Sequence, residues 1–374
     1  MEYIPYPDLA NKAREYGRTF FDQENGILYM NWTCTGIEFL FRGTCLLADF
    51  TAVPGEEVDA LPTAPDGRGQ FLKRPTWPWV AIFLDGEEVP RRRFEVKGEN
   101  ATELLFHSKK SEVHRIRLVK LTENIKSYLG LLGLWAEGSI EALPEEKPVK
   151  RIEFLGDSIT CGFGNEARDA NRLFFSADEN GWLSYAALAG RMMGMDYSLV
   201  CSSGICSATR PSLPHPYSIN RLYPYTDRAL QEQRQVGGEL LEHPFSSRPN
   251  DYVVINLGTN DATAIFLSDD PKKEEEAFLK DYIGFLKLIR EKNGPKTQII
   301  CSLGSMCYYL WSTIQEAVKA YQEETGDEAV HLFRFPKIDV REPLGACGHP
   351  YITTHERMAR ELVLWMKETF GEEA

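Results

Sequence analysis

The spacing of the apolar residues changes part-way along the chain, and no other feature constrains the fold as much. In the first part they come in short runs: Ile37-Glu-Phe-Leu-Phe41, Cys45-Leu-Leu-Ala-Asp-Phe50, Trp79-Val-Ala-Ile-Phe-Leu84, Arg93-Phe-Glu-Val96, Glu103-Leu-Leu-Phe106 and His114-Arg-Ile-Arg-Leu-Val-Lys-Leu121. Runs of this length, with no long helical stripe between them, suit strands. Asp85-Gly86 follows one run and is a hairpin-turn pair. The pattern predicts an all-β sandwich or jelly roll over residues 1–145, ending in the charged, proline-bracketed linker 141–148.

Beyond the linker, strand-like and helical patterns alternate. Strands are expected at 149–155, 197–201, 251–257, 298–302 and 330–335. A helix is expected over 274–292, where Phe278, Tyr282, Phe285, Leu286 and Ile289 share a face. Another is expected over 355–370, where Met358, Leu362, Trp365 and Met366 do the same, with Thr353-x-x-Glu356 as its capping box. Such alternation predicts a parallel five-stranded sheet with helices on both faces, over residues 146–374. Sheets of this kind bind ligands beyond the carboxyl ends of their strands, so chemistry is sought in the loops there.

Bulk properties narrow the partners. A chain of 374 residues exceeds one ordinary core, which supports two domains. Its 42 basic against 55 acidic side chains give a net charge of −13, which argues against nucleic-acid and anionic-membrane partners. Its apolar runs are too short to span a bilayer. The opening residues show no basic segment followed by an apolar one, so a cytoplasmic location is expected. The eight cysteines form no C-x-x-C pair, and several fall in apolar runs, as buried free thiols do.

Each expected strand end carries polar residues. Gly156-Asp157-Ser158 follows the first, where a serine at a glycine-bounded turn is placed for exposure as a nucleophile; Thr160 replaces the second glycine of a G-x-S-x-G elbow. A helix N-cap would use the same residues. Ser203-Gly204 follows the second strand and Gly258-Thr-Asn260-Asp261 the third. A glycine N–H and an asparagine amide are the donor types that stabilise an oxyanion, though both also suit turns. Gly348-His349-Pro350 follows the last strand.

Taken in this order, the four blocks resemble those of the SGNH, or GDSL, hydrolases. The resemblance implies a flavodoxin-like α/β fold from about Val149 onward, with Ser158 as nucleophile and His349 as general base. It also implies an oxyanion hole formed by the Ser158 N–H, the Gly204 N–H and the Asn260 amide. One departure stands out: most members carry Asp three residues before the histidine, and here that position is Ala346. A backbone carbonyl can orient an imidazole but supplies no negative charge. We therefore expect a Ser–His dyad, with a carbonyl among residues 345–347 accepting from the His349 Nδ1–H. Asp339, ten residues upstream, is the less favoured orienter.

A β sandwich followed by an SGNH domain resembles the family two carbohydrate esterases, which remove acetyl groups from xylan, mannan and related sugars. That resemblance implies an acetylated oligosaccharide as substrate and no cofactor or metal, and it leaves room for a homo-oligomer. Loop aromatics suit sugar faces. Trp311, Tyr309 and His215 are the expected substrate contacts, with Tyr217, Tyr223, Tyr225 and Tyr308 nearby. Trp182 and Tyr185 are expected in the core by their helical spacing. The competing readings are a lipase or thioesterase for longer acyl chains and a non-catalytic carbohydrate-binding protein. A zinc site through Cys347-x-His349 lacks further clustered ligands.

Overall fold

The computed structural model of the chain describes residues 1–61, 70–145 and 147–372. Glu146, within the expected linker, lies outside the described residues.

The first half is a nine-stranded antiparallel sheet dominated by three long strands, Gly36–Val53, Ala101–Lys120 and Tyr128–Glu141. The sequence separates 37–41 from 45–50, and 103–106 from 114–121, but the structure runs each pair into one strand. Arg42 and Gly43 stay in the ladder, paired with Ser139 and Gly138, while Thr44 and residues 108–111 are taken up at register shifts. Register shifts at Leu104/Phe106, His107/Glu112 and Glu137/Gly138 bend these strands around a core that includes Phe39, Phe41, Phe50, Ile82, Leu118 and Leu134. Asp85 and Gly86 form the expected turn at φ 53° and 79°, with the Glu87 N–H donating to the Leu84 carbonyl at 2.9 Å.

The second half is a five-stranded parallel sheet. Its spatial order is Asp196–Cys201, Arg151–Gly156, Tyr252–Asn256, Gln298–Leu303, Val330–Arg334. The strand that comes first in sequence is therefore second in space, which makes the sheet flavodoxin-like and puts its switch point beside Arg151–Gly156. Alternate residues face opposite sides. Leu155, Val253 and Ile299 pack with the helices Pro271–Asn293 and Trp311–Thr325. Phe154, Val254 and Ile300 pack with the helices Tyr185–Met192 and Ile352–Phe370.

Thr353 does not cap the last helix. That helix starts at Ile352 after Tyr351, without a side-chain cap, so Thr353 is already inside it. The buried neighbour Thr354 instead gives its hydroxyl to Glu342. The helix Pro271–Asn293 does have a cap, the Asp270 carboxylate, which accepts from the Lys273 N–H.

The two halves share a core. Trp32 joins the apolar cluster on one face of the parallel sheet, and Phe83, Val119 and Leu121 join the cluster on the other. Among the described residues no helix is long and apolar enough to cross a membrane. All eight cysteines are free thiols.

Candidate active site

The topology brings three of the loops together without help, because the strands ahead of them are neighbours in the sheet. Ser158 opens a single helical turn, Ser158–Cys161, directly after the strand Arg151–Gly156. Asp157 caps this turn by accepting from the Ile159 N–H at 3.0 Å. Gly156 permits the tight approach: a Cβ there would lie 1.9 Å from the Thr160 hydroxyl. Burial, with repulsion from Asp261, pushes the Asp157 carboxyl up to about 7. Ser158 is left 8% exposed.

His349 has further to travel. Its strand, Val330–Arg334, is the far edge of the sheet, three positions from the strand that carries Ser158. The loop returns and docks on the loop after Ser158. The Ala346 N–H donates to the Gly164 carbonyl at 3.0 Å, and the Cys347 N–H donates to the Arg172 carbonyl at 3.0 Å. Gly164 must lack a side chain here, since it sits at φ 58° and a Cβ would come within 2.5 Å of the Ala346 Cβ. So docked, His349 holds Nε2 at 2.9 Å from Ser158 Oγ and Nδ1 at 3.2 Å from the Ala346 carbonyl oxygen. Asp339 is elsewhere, its carboxylate closed on the Arg341 guanidinium at 2.9 and 2.5 Å. Burial lowers the His349 imidazole to about 4, although the Ala346 and Cys347 carbonyls favour its charged form. It is neutral at pH 7, as an acceptor of the serine proton must be.

Gly204 lies in a turn at φ 80° after the strand Asp196–Cys201. Asn260 is in the first turn of the helix Thr259–Leu267, and its amide donates to the Ile205 carbonyl at 3.0 Å, tying it to the Gly204 loop. The buried Asp261 strengthens this tie, accepting from the Ser207 N–H at 3.0 Å, the Ser207 hydroxyl at 2.8 Å and Arg210 Nε at 3.1 Å. Ser158 thus meets His349, and Asn260 meets the Gly204 loop, beyond the ends of three neighbouring strands.

The expected substrate contacts divide. His215 lies beside the Gly204 turn: its Cδ2 would lie 3.6 Å from a Cβ on Gly204, and its Nδ1 faces the Tyr217 carbonyl at 2.6 Å. Trp311 packs half-buried against the core around Ile314. Tyr309 packs at a tilt against Phe266, ring centres 4.7 Å apart, and donates to Glu275. Among the described residues no hydrogen bond or ring contact joins Trp311 or Tyr309 to Ser158 or His349. Tyr217 and Tyr223 are buried, Tyr223 against Phe245 and Phe285, so both serve packing; Trp182 and Tyr185 are buried too.

Sequence reasoning missed one wall of the site because it comes from the other half. The loop after the strand Ala101–Lys120 brings in Glu123 and Lys126. The Lys126 ammonium lies 3.6 Å from the Phe174 ring centre and 4.7 Å from that of Phe163, and the Phe163 ring packs 4.3 Å from the His349 ring. The only clue was a Glu-x-x-Lys pair directly after the last strand-like run. Among the described residues, Glu123, Cys161 and Glu179 form the one group of metal-type donors, with ligand atoms within 4.8 Å. Glu123 is already bonded to Lys126 and to the Ser203 N–H. Cys347 is exposed and not part of this group.

The chain is similar to known proteins. Residues 154–356, more than half of the chain, match the GDSL-like Lipase/Acylhydrolase family. The cellulase/esterase CelE of Acetivibrio thermocellus is 31% identical over 376 residues, which are 98% of this chain and 40% of that protein. An acetylxylan esterase / glucomannan deacetylase of Cellvibrio japonicus is 31% identical over 193 residues, 50% of this chain and 51% of that protein. The chain thus spans about half or less of the length of these relatives. The solved structure of a family two carbohydrate esterase from Clostridium thermocellum, in complex with cellohexaose, aligns with a TM-score of 0.78 and 28% identity, covering 96% of this chain and 100% of that one. The motif blocks, the sheet order and these likenesses agree: the chain belongs to the GDSL-like lipase/acylhydrolase family, and its relatives include family two carbohydrate esterases.

Proposed function

We propose that the chain is a carbohydrate O-acetyl esterase that works through a Ser158–His349 dyad. The observation that carries this reading is the alignment of three groups: Ser158 Oγ, His349 Nε2 at 2.9 Å, and the Ala346 carbonyl on His349 Nδ1. That carbonyl selects the tautomer whose Nε2 lone pair faces the serine.

The chemistry follows from the groups in place. His349 takes the Ser158 proton as Oγ attacks the acetyl carbonyl. The tetrahedral oxyanion accepts hydrogen bonds from the Gly204 N–H, the Asn260 amide and the Ser158 N–H. His349 then protonates the departing sugar oxygen, which leaves as a hydroxyl with the acetyl on Ser158. Water, deprotonated by the same imidazole, releases acetate. No metal or redox cofactor enters this cycle.

The substrate class rests on the relatives. The Cellvibrio japonicus protein is named for acetylxylan and glucomannan, and the Clostridium thermocellum structure holds cellohexaose. Acetylated xylo- and manno-oligosaccharides are therefore the proposed substrates. Hydrolysis of p-nitrophenyl esters from acetate to octanoate tests the acyl preference. A steep preference for acetate, abolished by Ser158→Ala, is expected. Rates that rise with chain length would refute the acetyl assignment, and a Ser158→Ala variant of full activity would refute the mechanism.

A further inference from the structure

The Gly204 loop belongs to the α/β half and is tied on its far side by Asn260, but the group that holds the residue just before Gly204 comes from the other half. Glu123, fully buried, reaches across from the β half. Its Oε2 accepts from the Ser203 N–H at 2.5 Å and from the Ser202 hydroxyl at 3.4 Å. Its Oε1 lies 3.0 Å from the Lys126 ammonium. Ser203 immediately precedes Gly204, so fixing its N–H constrains the next peptide, whose N–H is the proposed oxyanion donor. Gly204 has no Cβ to restrict its peptide, and among the described residues, its chain neighbours apart, only the His215 ring lies within 4 Å of where that Cβ would be. A turn of this kind keeps its direction only if something outside it holds it.

The holding group is charged. Burial opposes ionisation of Glu123, but Lys126 and the Ser203 N–H outweigh it and keep the carboxyl below its ordinary value. Its neighbour Glu179 is pushed up to about 8 by burial and by the Glu123 charge, so one proton resides on Glu179 and the negative charge on Glu123. The buried Lys120 and Cys161 also face Glu123, as do the His215 and His349 imidazoles. A charge-assisted hydrogen bond to a main-chain N–H is stronger than a neutral one.

We infer that Glu123 is a positioning residue for the oxyanion hole, so that the β half completes the site rather than merely adjoining it. This rests on the esterase reading above, in which Gly204 donates to the oxyanion.

Two double variants of the full chain separate positioning from charge. Glu123→Gln with Lys126→Met removes the ion pair but keeps an acceptor oxygen for the Ser203 N–H. Glu123→Leu with Lys126→Met removes both. On p-nitrophenyl acetate, the glutamine variant should keep kcat within about tenfold of the parent. The leucine variant should lose ~10²–10³ in kcat, the effect of losing one oxyanion donor, with KM nearly unchanged. Hydrogen exchange of the peptide containing Ser203 and Gly204 should be fast in the leucine variant and slow in the glutamine variant. If the leucine variant does not fold, Glu123→Asp withdraws the carboxylate while keeping its charge, and should lose kcat and exchange protection together. Equal kcat and equal exchange across these variants would overturn the inference. A parent chain that hydrolyses no acetate ester would overturn the esterase reading instead, while the exchange data would still decide whether Glu123 holds the loop.

Discussion

Two buried carboxylates on the seam between the halves are built differently. Glu153, on the first strand of the parallel sheet, receives both forks of Arg18 at 2.8 Å, the Ser198 hydroxyl at 2.8 Å and the Asn250 amide at 3.1 Å. Arg18 spends its remaining donor on the Tyr223 and Tyr225 carbonyls. Both side chains are 1% exposed, and despite burial the pair holds Glu153 down to about 2. Glu123 has a looser partner, a Lys126 side chain that is 30% exposed and shared with two aromatic rings. The first carboxylate is saturated by bidentate geometry and lies away from the chemistry. The second has given its best bond to one main-chain N–H beside Gly204. Buried charge can thus serve to join two halves or to aim a loop, and the partners it has spare show which.

The largest expected effect tests the joining role. Arg18→Met leaves Glu153 buried without a counter-charge and should cost about 3–5 kcal/mol in urea unfolding. The kcat of the folded fraction should stay at the parent level, and a large drop in kcat would erase the contrast with Glu123. Next comes Asn260→Ala, which should lower kcat/KM ~10²–10³-fold, about 2.7–4 kcal/mol of transition-state stabilisation. Its unfolding free energy should fall by only about 1 kcal/mol, the worth of the bond to Ile205. Equal losses in both measurements would make Asn260 a structural residue.

A smaller effect concerns charge that folding excludes. His355 is fully buried, and its Nδ1 accepts from the Tyr185 N–H at 3.1 Å. Burial, with repulsion from His349, lowers it from 6.5 to about 3. Below pH 6.5 the unfolded chain therefore binds a proton that the folded chain refuses, so this residue's contribution to stability falls as pH drops toward 3. Asp157 and Glu179, both raised, titrate in the opposite sense over part of the same range, so the readout must be a difference. The stability gap between the parent and His355→Gln should narrow by up to about 1.4 kcal/mol per pH unit as pH falls from 6.5 toward 3. A gap independent of pH would mean that His355 is charged in the folded state. The smallest effect belongs to Thr353→Ala. Because Thr353 caps nothing, the change should stay within about 0.5 kcal/mol. A loss above about 1 kcal/mol would restore the capping box.

Much of the α/β half could be read from the chain because its signals are local. The stripe Phe278, Tyr282, Phe285, Leu286 and Ile289 repeats with the helical period, and all five residues are buried. Each motif block lies just beyond a strand, where a parallel sheet must place its loops. The β half was read less well. Its long strands carry polar residues mid-strand, Arg42 paired and Thr44 at a register shift, and nothing local tells a bend in a strand from a break between two. The loop aromatics could not be sorted either: Tyr223, between Leu222 and Pro224, is in the core, while Tyr309, between Tyr308 and Leu310, is on the surface, so sequence neighbours do not tell which ring is buried.

The sequence by itself determined the period of each half, the order of the four blocks and the absence of a carboxylate three residues before His349. These are properties of the chain's order, and no tertiary contact is needed to state them. Only the tertiary structure decided that the Ala346 carbonyl faces His349 Nδ1, that the Gly164 loop receives the returning His349 loop, and that Glu123 reaches Ser203 from 80 residues away in sequence. Those contacts depend on where two independently patterned halves meet. A long-range hydrogen bond leaves no period in the sequence; it exists only once both surfaces are folded and in register.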